Sequence, residues 1–190
     1  MSKWFVKIAV NEFLPLALLA LMLAGCQTDE NVAGLNESPP STTAANASAA
    51  ENTSDVDALV KSYLDLRKTL AEDKSDGIAV KVAAIGEKAK PLFNSDNADV
   101  ERVAKAIATS AEPKPEDLVA ARKAYQSISA SMIELVKIAS PSNQAVSELY
   151  VAYCPMVKAS WLQTTEEIEN PYMGQKMLSC GEIKEEIPTE

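Results

Sequence analysis

The amino-acid sequence predicts a mainly α-helical domain, an antiparallel four-helix bundle with a small C-terminal β/turn appendage. Two observations favour this fold. Four segments between residues 55 and 140 place apolar side chains at three- and four-residue steps, the spacing of amphipathic helices, and short connections join them. After Pro141 the pattern changes to a short aromatic run and turn residues, which indicate strands and tight loops.

The predicted helices cover residues 55–73, 76–89, 98–111 and 115–140. Their apolar stripes are best explained by packing against one another in a shared core. Charged side chains on the remaining faces are expected to lie in solvent. This group comprises Lys61, Arg67, Glu101, Arg102, Arg122 and Lys123.

The ends of two helices carry further signals. Ser54 with Asp57 resembles a capping box, which predicts that the first helix begins there. Pro115 suits the first turn of the fourth helix, because its missing N–H would have no partner in that turn. Pro141 is expected to end the same helix.

Two strands are predicted after Pro141. Residues 149–154 are too few and too aromatic for a further helix, and residues 182–187 can pair with 149–153 as a last strand. Between them, Asn170-Pro171-Tyr172 and Gly174 are typical of turns, since proline fixes φ and glycine tolerates left-handed backbone.

The N-terminus resembles a bacterial lipoprotein leader. An apolar run from Phe13 ends in Leu23-Ala24-Gly25-Cys26, the pattern of a lipobox. We therefore predict a signal peptide over residues 1–25. Its apolar run is too short to span a bilayer, which needs about 20 residues. Cys26 is the predicted lipid acceptor, and its acyl chains (palmitate among them) would anchor the protein in a membrane.

Residues 26–54 are predicted to form a lipidated, disordered tether. Ala, Ser, Thr, Asn and Pro dominate this stretch, so it cannot bury enough apolar surface to offset the entropy of ordering. The tether would hold a folded domain of residues 55–190 at the cell envelope. Gln27, in place of an aspartate after Cys26, favours the outer membrane facing the periplasm.

Composition excludes several classes of function. The formal net charge is −9, so nucleic acid is not an expected partner. The chain contains no histidine, which excludes histidine-based zinc sites and serine–histidine triads and leaves a catalytic thiol without the usual activating base. We therefore predict that the protein is not an enzyme.

The segment 141–190 holds both cysteines that remain after lipidation, Cys154 and Cys180, and two interpretations are open. The preferred one is a Cys154–Cys180 disulfide, because the predicted compartment is oxidising. The alternative is a soft-metal site for Cu(I) with thiolate and thioether ligands. Cys154 and Met156 would project from one side of an extended strand, and Met177 and Cys180 lie one helical turn apart.

Other residues of this segment join the sulfur residues in a recognisable signature. It consists of Cys154, Pro155, Met156, Trp161, Leu162, Asn170, Pro171, Tyr172, Gly174, Met177, Cys180 and Gly181. This signature resembles that of a bacterial domain of unknown function, found alone in lipoproteins and appended to periplasmic adaptor subunits of copper/silver (CusB-type) efflux systems. The resemblance covers roughly residues 55–190 and is strongest over 149–183.

The resemblance implies heavy-metal handling, with metal-efflux components as partners. The expected function is therefore that of an envelope lipoprotein with a soft-metal (copper) binding module, linked to metal efflux or tolerance. The alternative is a non-catalytic structural or interaction domain, stapled by the Cys154–Cys180 disulfide and without a metal ligand.

Overall fold

The computed structural model describes residues 43–189, with side chains from residue 53 onward. The predicted signal peptide (1–25), the predicted lipid acceptor Cys26 and the tether as far as residue 42 lie outside the described residues. None of the helices in the described part of the chain combines the length and apolar character needed to cross a membrane.

Four helices occupy the segments that periodicity predicts. They are α1 (Thr43–Ala71), α2 (Ile78–Ala89), α3 (Ala98–Ser110) and α4 (Leu118–Ile138), and a short 3-10 helix (Lys90–Asn94) follows α2.

The first helix begins earlier than predicted. It starts at Thr43, so the last part of the predicted tether is helical and Ser54 is not an N-cap. Asp57 has a different role. Its carboxylate accepts hydrogen bonds from the backbone N–H of Ser142 at 2.8 Å and from the Ser142 hydroxyl, and these bonds hold the chain after α4 against α1.

The fourth helix is capped two residues after the proline that was predicted in its first turn. Asp117 is the N-cap, and its side chain accepts a hydrogen bond from the backbone N–H of Ala120 at 2.7 Å. Pro115 therefore precedes the helix. At the other end α4 stops at Ile138, before Pro141, as predicted.

Three antiparallel strands follow the helices: β1 (Leu149–Cys154), β2 (Ala159–Gln163) and β3 (Glu182–Ile187). The strand order is β2-β1-β3, so β1 is central. The predicted pairing of 149–153 with 182–187 is confirmed, with Leu149 opposite Ile187 and Tyr153 opposite Glu182. The register shifts between Val151 and Ala152, which marks a bulge or irregularity.

Strand β2 was not predicted. It is only five residues long, and a turn over residues 155–158 joins it directly to β1. The register is that of a tight hairpin, with Cys154 opposite Ala159 and Ala152 opposite Trp161. Ser160 and Gln163 weaken the strand signal in the sequence, because neither is a residue type enriched in strands.

The prediction of a mainly α four-helix bundle with a small appendage is wrong, because the sheet is part of a mixed α/β core. Trp161, Leu162 and Gln163 are fully buried, and β2 packs against both α4 and α1. The helix lengths explain the difference. With 12 and 13 residues, α2 and α3 are much shorter than α4, which has 21. The long helix α4 therefore packs against both α3 and strand β2 of the sheet.

Tyr63 joins the helices to the sheet. Its ring stacks on that of Tyr125, with centroids 4.9 Å apart, and both side chains are fully buried. The Tyr63 hydroxyl lies 2.9 Å from the Ser129 hydroxyl on α4 and accepts a hydrogen bond from the Leu162 N–H on β2 at 3.0 Å. Burial raises the pKa of Tyr63, so the hydroxyl stays neutral. In contrast, the Tyr125 hydroxyl has no hydrogen-bond partner among the described residues.

This contrast predicts different effects for two chemically identical substitutions. Tyr63→Phe should lower the free energy of unfolding by about 1–3 kcal/mol, because it leaves the buried Leu162 N–H without an acceptor. Tyr125→Phe is the matched control, and it should change stability by less than about 0.5 kcal/mol, since no hydrogen bond is lost. Urea unfolding followed by circular dichroism measures both, and equal losses would contradict this account of the core.

Candidate functional site

The candidate site is the pair of cysteine sulfurs, Cys154 and Cys180, whose Sγ atoms lie 3.9 Å apart. Cys154 ends β1 and is fully buried, whereas Cys180 lies just before β3 and is partly exposed. Antiparallel pairing explains the meeting, because the end of β1 lies beside the start of β3. The two residues are therefore neighbours in space, which a bridge and a shared metal ion both require, and the structure holds both as free thiols.

A short turn over residues 155–158 follows Cys154 and joins β1 to β2. Lys158 closes this turn in a left-handed conformation (φ 57°) and donates its N–H to the Cys154 carbonyl at 2.8 Å. Burial works against ionisation of Cys154. Hydrogen bonds from the backbone of Val157 and Met156 and from the side chain of Asn170 outweigh burial, so the pKa of the Cys154 thiol is lowered.

The two thiols differ in acidity. Desolvation and the neighbouring Cys154 sulfur raise the pKa of Cys180, whereas that of Cys154 is lowered.

Asn170 connects the pair to the loop between β2 and β3. It is fully buried, and its side-chain oxygen accepts hydrogen bonds from the N–H groups of Tyr172 at 2.9 Å and Met173 at 3.0 Å. Its side-chain nitrogen donates to the Cys180 carbonyl at 2.5 Å. One amide therefore shapes the turn after Pro171 and positions Cys180, and it helps to lower the pKa of Cys154.

The methionines predicted as further ligands lie at the surface. Met156 is 66% exposed and Met177 is 37% exposed. The strand argument for Met156 fails, because β1 ends at Cys154 and Met156 belongs to the turn. Met177 ends a short 3-10 helix (Gly174–Met177), and its carbonyl accepts a hydrogen bond from the Cys180 N–H at 3.0 Å.

Aromatic residues of the signature form the apolar surroundings of the site. Trp161 lies edge-on to Tyr172, with ring centroids 5.9 Å apart, and the Tyr172 hydroxyl donates to the Ser160 carbonyl at 2.6 Å. Gly181 lies so close to Trp161 that a Cβ there would come within 2.9 Å of the indole. A larger residue at 181 would therefore push the chain next to Cys180 away from the sheet.

Gln163 is a buried residue of this region that sequence analysis did not identify. Its side-chain oxygen accepts a hydrogen bond from the Trp161 indole at 2.9 Å. Its side-chain nitrogen donates to the carbonyls of Thr165 at 2.6 Å and Glu167 at 2.9 Å. The Gln163 amide thereby supplies hydrogen bonds to backbone carbonyls of the loop that leaves β2. Nothing in the local sequence distinguishes this buried glutamine from one at the surface.

Two arginines expected in solvent instead hold this loop against the helices. Arg67 is 8% exposed and forms an ion pair with Glu169 at 2.7 Å. Arg122 donates from Nε to the Pro171 carbonyl and from Nη2 to the Leu70 carbonyl, both at 2.8 Å. Arg122 also pairs with Asp73 and lowers the pKa of that carboxyl group.

Helical periodicity carried a signal for both arginines. Arg67 follows Tyr63 by four residues and precedes Leu70 by three, and Arg122 stands in the same relation to Leu118 and Tyr125. Residues at those spacings share a helix face, so each arginine lies on the edge of an apolar stripe.

Gly174 packs directly against the ion pair between Arg122 and Asp73. It adopts a left-handed conformation (φ 56°), and a Cβ at this position would overlap the Asp73 carboxylate and the Arg122 guanidinium. The next residue, Gln175, donates its backbone N–H to Asp73 at 2.9 Å and its side-chain amide to the Ala71 carbonyl at 2.8 Å. The loop that carries Cys180 is thus fastened to the end of α1.

The donor set limits what the site can bind. Among residues 43–189 no group of three or more Cys, Asp and Glu side chains is arranged to hold a metal ion.

Comparisons with protein-family models, with curated proteins and with solved structures give no significant match. The resemblance to the domain associated with copper/silver efflux adaptors therefore stays a prediction that depends on the signature residues.

Two glycines with similar backbone angles allow a test of the loop attachment. At Gly77 (φ 69°) a Cβ would meet no atom within 4 Å, unlike at Gly174. Gly77→Ala should cost about 1–2 kcal/mol of stability, the strain of left-handed backbone alone. Gly174→Ala should cost about 2 kcal/mol more, because Asp73 and Arg122 must separate.

Thermal unfolding of the two variants measures this difference. A loss for Gly174→Ala no larger than that for Gly77→Ala would show that the contacts of Asp73 and Arg122 do not hold the loop.

Proposed function

We propose that this protein is an envelope lipoprotein whose C-terminal domain binds a soft metal ion, Cu(I), through Cys154 and Cys180. The observation that carries the proposal is the 3.9 Å separation of the two sulfur atoms. Two metal–sulfur bonds of about 2.3 Å at a tetrahedral or trigonal angle separate their sulfurs by about 3.8–4.0 Å. The pair could therefore share one ion with little movement of the backbone.

The surroundings of Cys154 favour the charged form that a metal requires. Thiols bind metals as thiolates, and the hydrogen bonds from Val157, Met156 and Asn170 favour that form at Cys154. Thiolate and thioether sulfur select Cu(I) over hard cations. With no histidine in the chain, sulfur is the soft donor available.

The methionines have a secondary part in this proposal. Met177 is tied to Cys180 through the backbone and is less exposed than Met156. We expect its thioether to be the first to join the two thiolates. Met156 is further into solvent and would serve to capture the ion at the surface. The link to efflux components and the membrane anchor at Cys26 follow from the sequence patterns alone.

A structural disulfide is the second candidate, and the complete burial of Cys154 favours it. A bond of about 2.05 Å could form after side-chain rotation, because the two sulfurs already face each other. The protein would then be a non-catalytic structural or interaction module. In the chain-entropy account, closing a loop of this length stabilises a fold by about 3–4 kcal/mol.

The metal proposal predicts one Cu(I) per reduced chain. The full chain carrying Cys26→Ala leaves two cysteines, and after reduction it should take Cu(I) from a chromogenic chelator. Cys154→Ser and Cys180→Ser should each weaken binding at least about tenfold, and Met177→Leu by a smaller factor. Ser179→Ala is the matched control, because it alters the same loop without removing sulfur. Failure of the reduced protein to compete for Cu(I) would end the metal proposal.

The disulfide candidate makes a separate prediction about stability. The oxidised Cys26→Ala protein should unfold at a free energy about 3–4 kcal/mol above that of the reduced protein. The Cys154→Ser/Cys180→Ser double variant is the control and should not respond to reductant. Urea unfolding with and without reductant measures the difference. Equal stability of the oxidised and reduced forms would rule out a stabilising bridge.

A further inference from the structure

We infer that Cys180 is the sulfur at which an external disulfide reacts with this protein, and that Cys154 then completes the bridge by attacking Cys180. The inference concerns the same sulfur pair as the proposed function, but it does not depend on metal binding. It assigns Cys180 as a site of mixed-disulfide formation with thiol–disulfide exchange partners of the envelope.

Access separates the two sulfurs. Cys154 is fully buried in the core beneath the sheet and its loop, whereas Cys180 is partly exposed at the start of β3. Exchange requires the attacking sulfur to approach its target directly, so a bulky reagent can reach Cys180 only. The Cys180 sulfur, 3.9 Å away, lies within reach of Cys154.

The exchange then proceeds in two balanced steps. In the first step Cys180 loses its proton as its sulfur attacks one sulfur of the external disulfide. A Cys180–reagent bond forms, the reagent's own S–S bond breaks, and one reagent thiol leaves with the proton that Cys180 lost. Next Cys154 loses its proton and its sulfur attacks the Cys180 sulfur. The Cys154–Cys180 bond forms, the Cys180–reagent bond breaks, and the second reagent thiol leaves with the proton from Cys154. The protein loses two electrons, and the external disulfide is reduced to two thiols.

Access governs the reverse reaction as well. In reduction, an external thiol can attack only the Cys180 sulfur of the bridge, because Cys154 is fully buried, and Cys154 leaves. The site can therefore alternate between a bridge and a free pair that is able to bind metal.

Glutathione disulfide is the probe that tests the order of the two steps. The reduced full chain with Cys26→Ala should end as an internal bridge with no glutathione attached. With Cys154→Ser, one glutathione should stay on Cys180. With Cys180→Ser, the glutathione adduct on Cys154 should form at least about tenfold more slowly. Equal adduct rates in the two variants, or no adduct on Cys180 in Cys154→Ser, would overturn the inference.

A second measurement removes the dependence on variants that could fold poorly. The Cys26→Ala chain with both other cysteines intact is mixed with glutathione disulfide, quenched in acid at early times, and mapped by mass spectrometry. Glutathione should appear transiently on the peptide that contains Cys180. Transient glutathione on the Cys154 peptide would overturn the inference. Cu(I) uptake is measured in a separate experiment. A failure of metal binding can therefore be distinguished from a failure of the proposed order of reaction, in which Cys180 reacts before Cys154.

Discussion

The pairing of β1 with both other strands is the interaction on which the C-terminal half of the structure depends. As the central strand, β1 aligns Cys154 with the start of β3 on one side and with the first residue of β2 on the other. The two sulfurs meet because Cys154 ends β1 and Cys180 lies just before β3, its antiparallel neighbour. A shift of β3 by one residue would turn its side chains to the opposite face and change the position of Cys180 relative to Cys154.

The helices take part in the site through the loop between β2 and β3. Arg67 on α1 and Arg122 on α4 hold this loop from two sides, and Asn170 within it donates a hydrogen bond to the Cys180 carbonyl. Tyr63 ties the same two helices to β2 from the interior. The loop that carries Cys180 is therefore attached to both helices, although it has little regular structure itself.

The proposed metal binding and the disulfide exclude each other, because metals bind thiolates and formation of the S–S bond removes both thiolates. The two sulfurs differ in access and in environment. Cys154 is buried and its pKa is lowered, whereas Cys180 is accessible to external molecules and its pKa is raised. Burial opposes ionisation of Cys154, but hydrogen bonds from the backbone of Val157 and Met156 and from the side chain of Asn170 lower its pKa.

Local patterns were sufficient for the four helices and two of the strands, because periodicity, proline positions and strand alternation are short-range properties. The same patterns misplaced the start of α1, missed β2 and put Arg67 and Arg122 in solvent. The sequence alone therefore specifies which segments form helices or strands and where the cysteines and methionines lie relative to those segments. The inclusion of the sheet in the core, the greater acidity of Cys154 and the fastening of its loop by two arginines became visible only in the folded molecule, since each depends on contacts between residues distant along the chain.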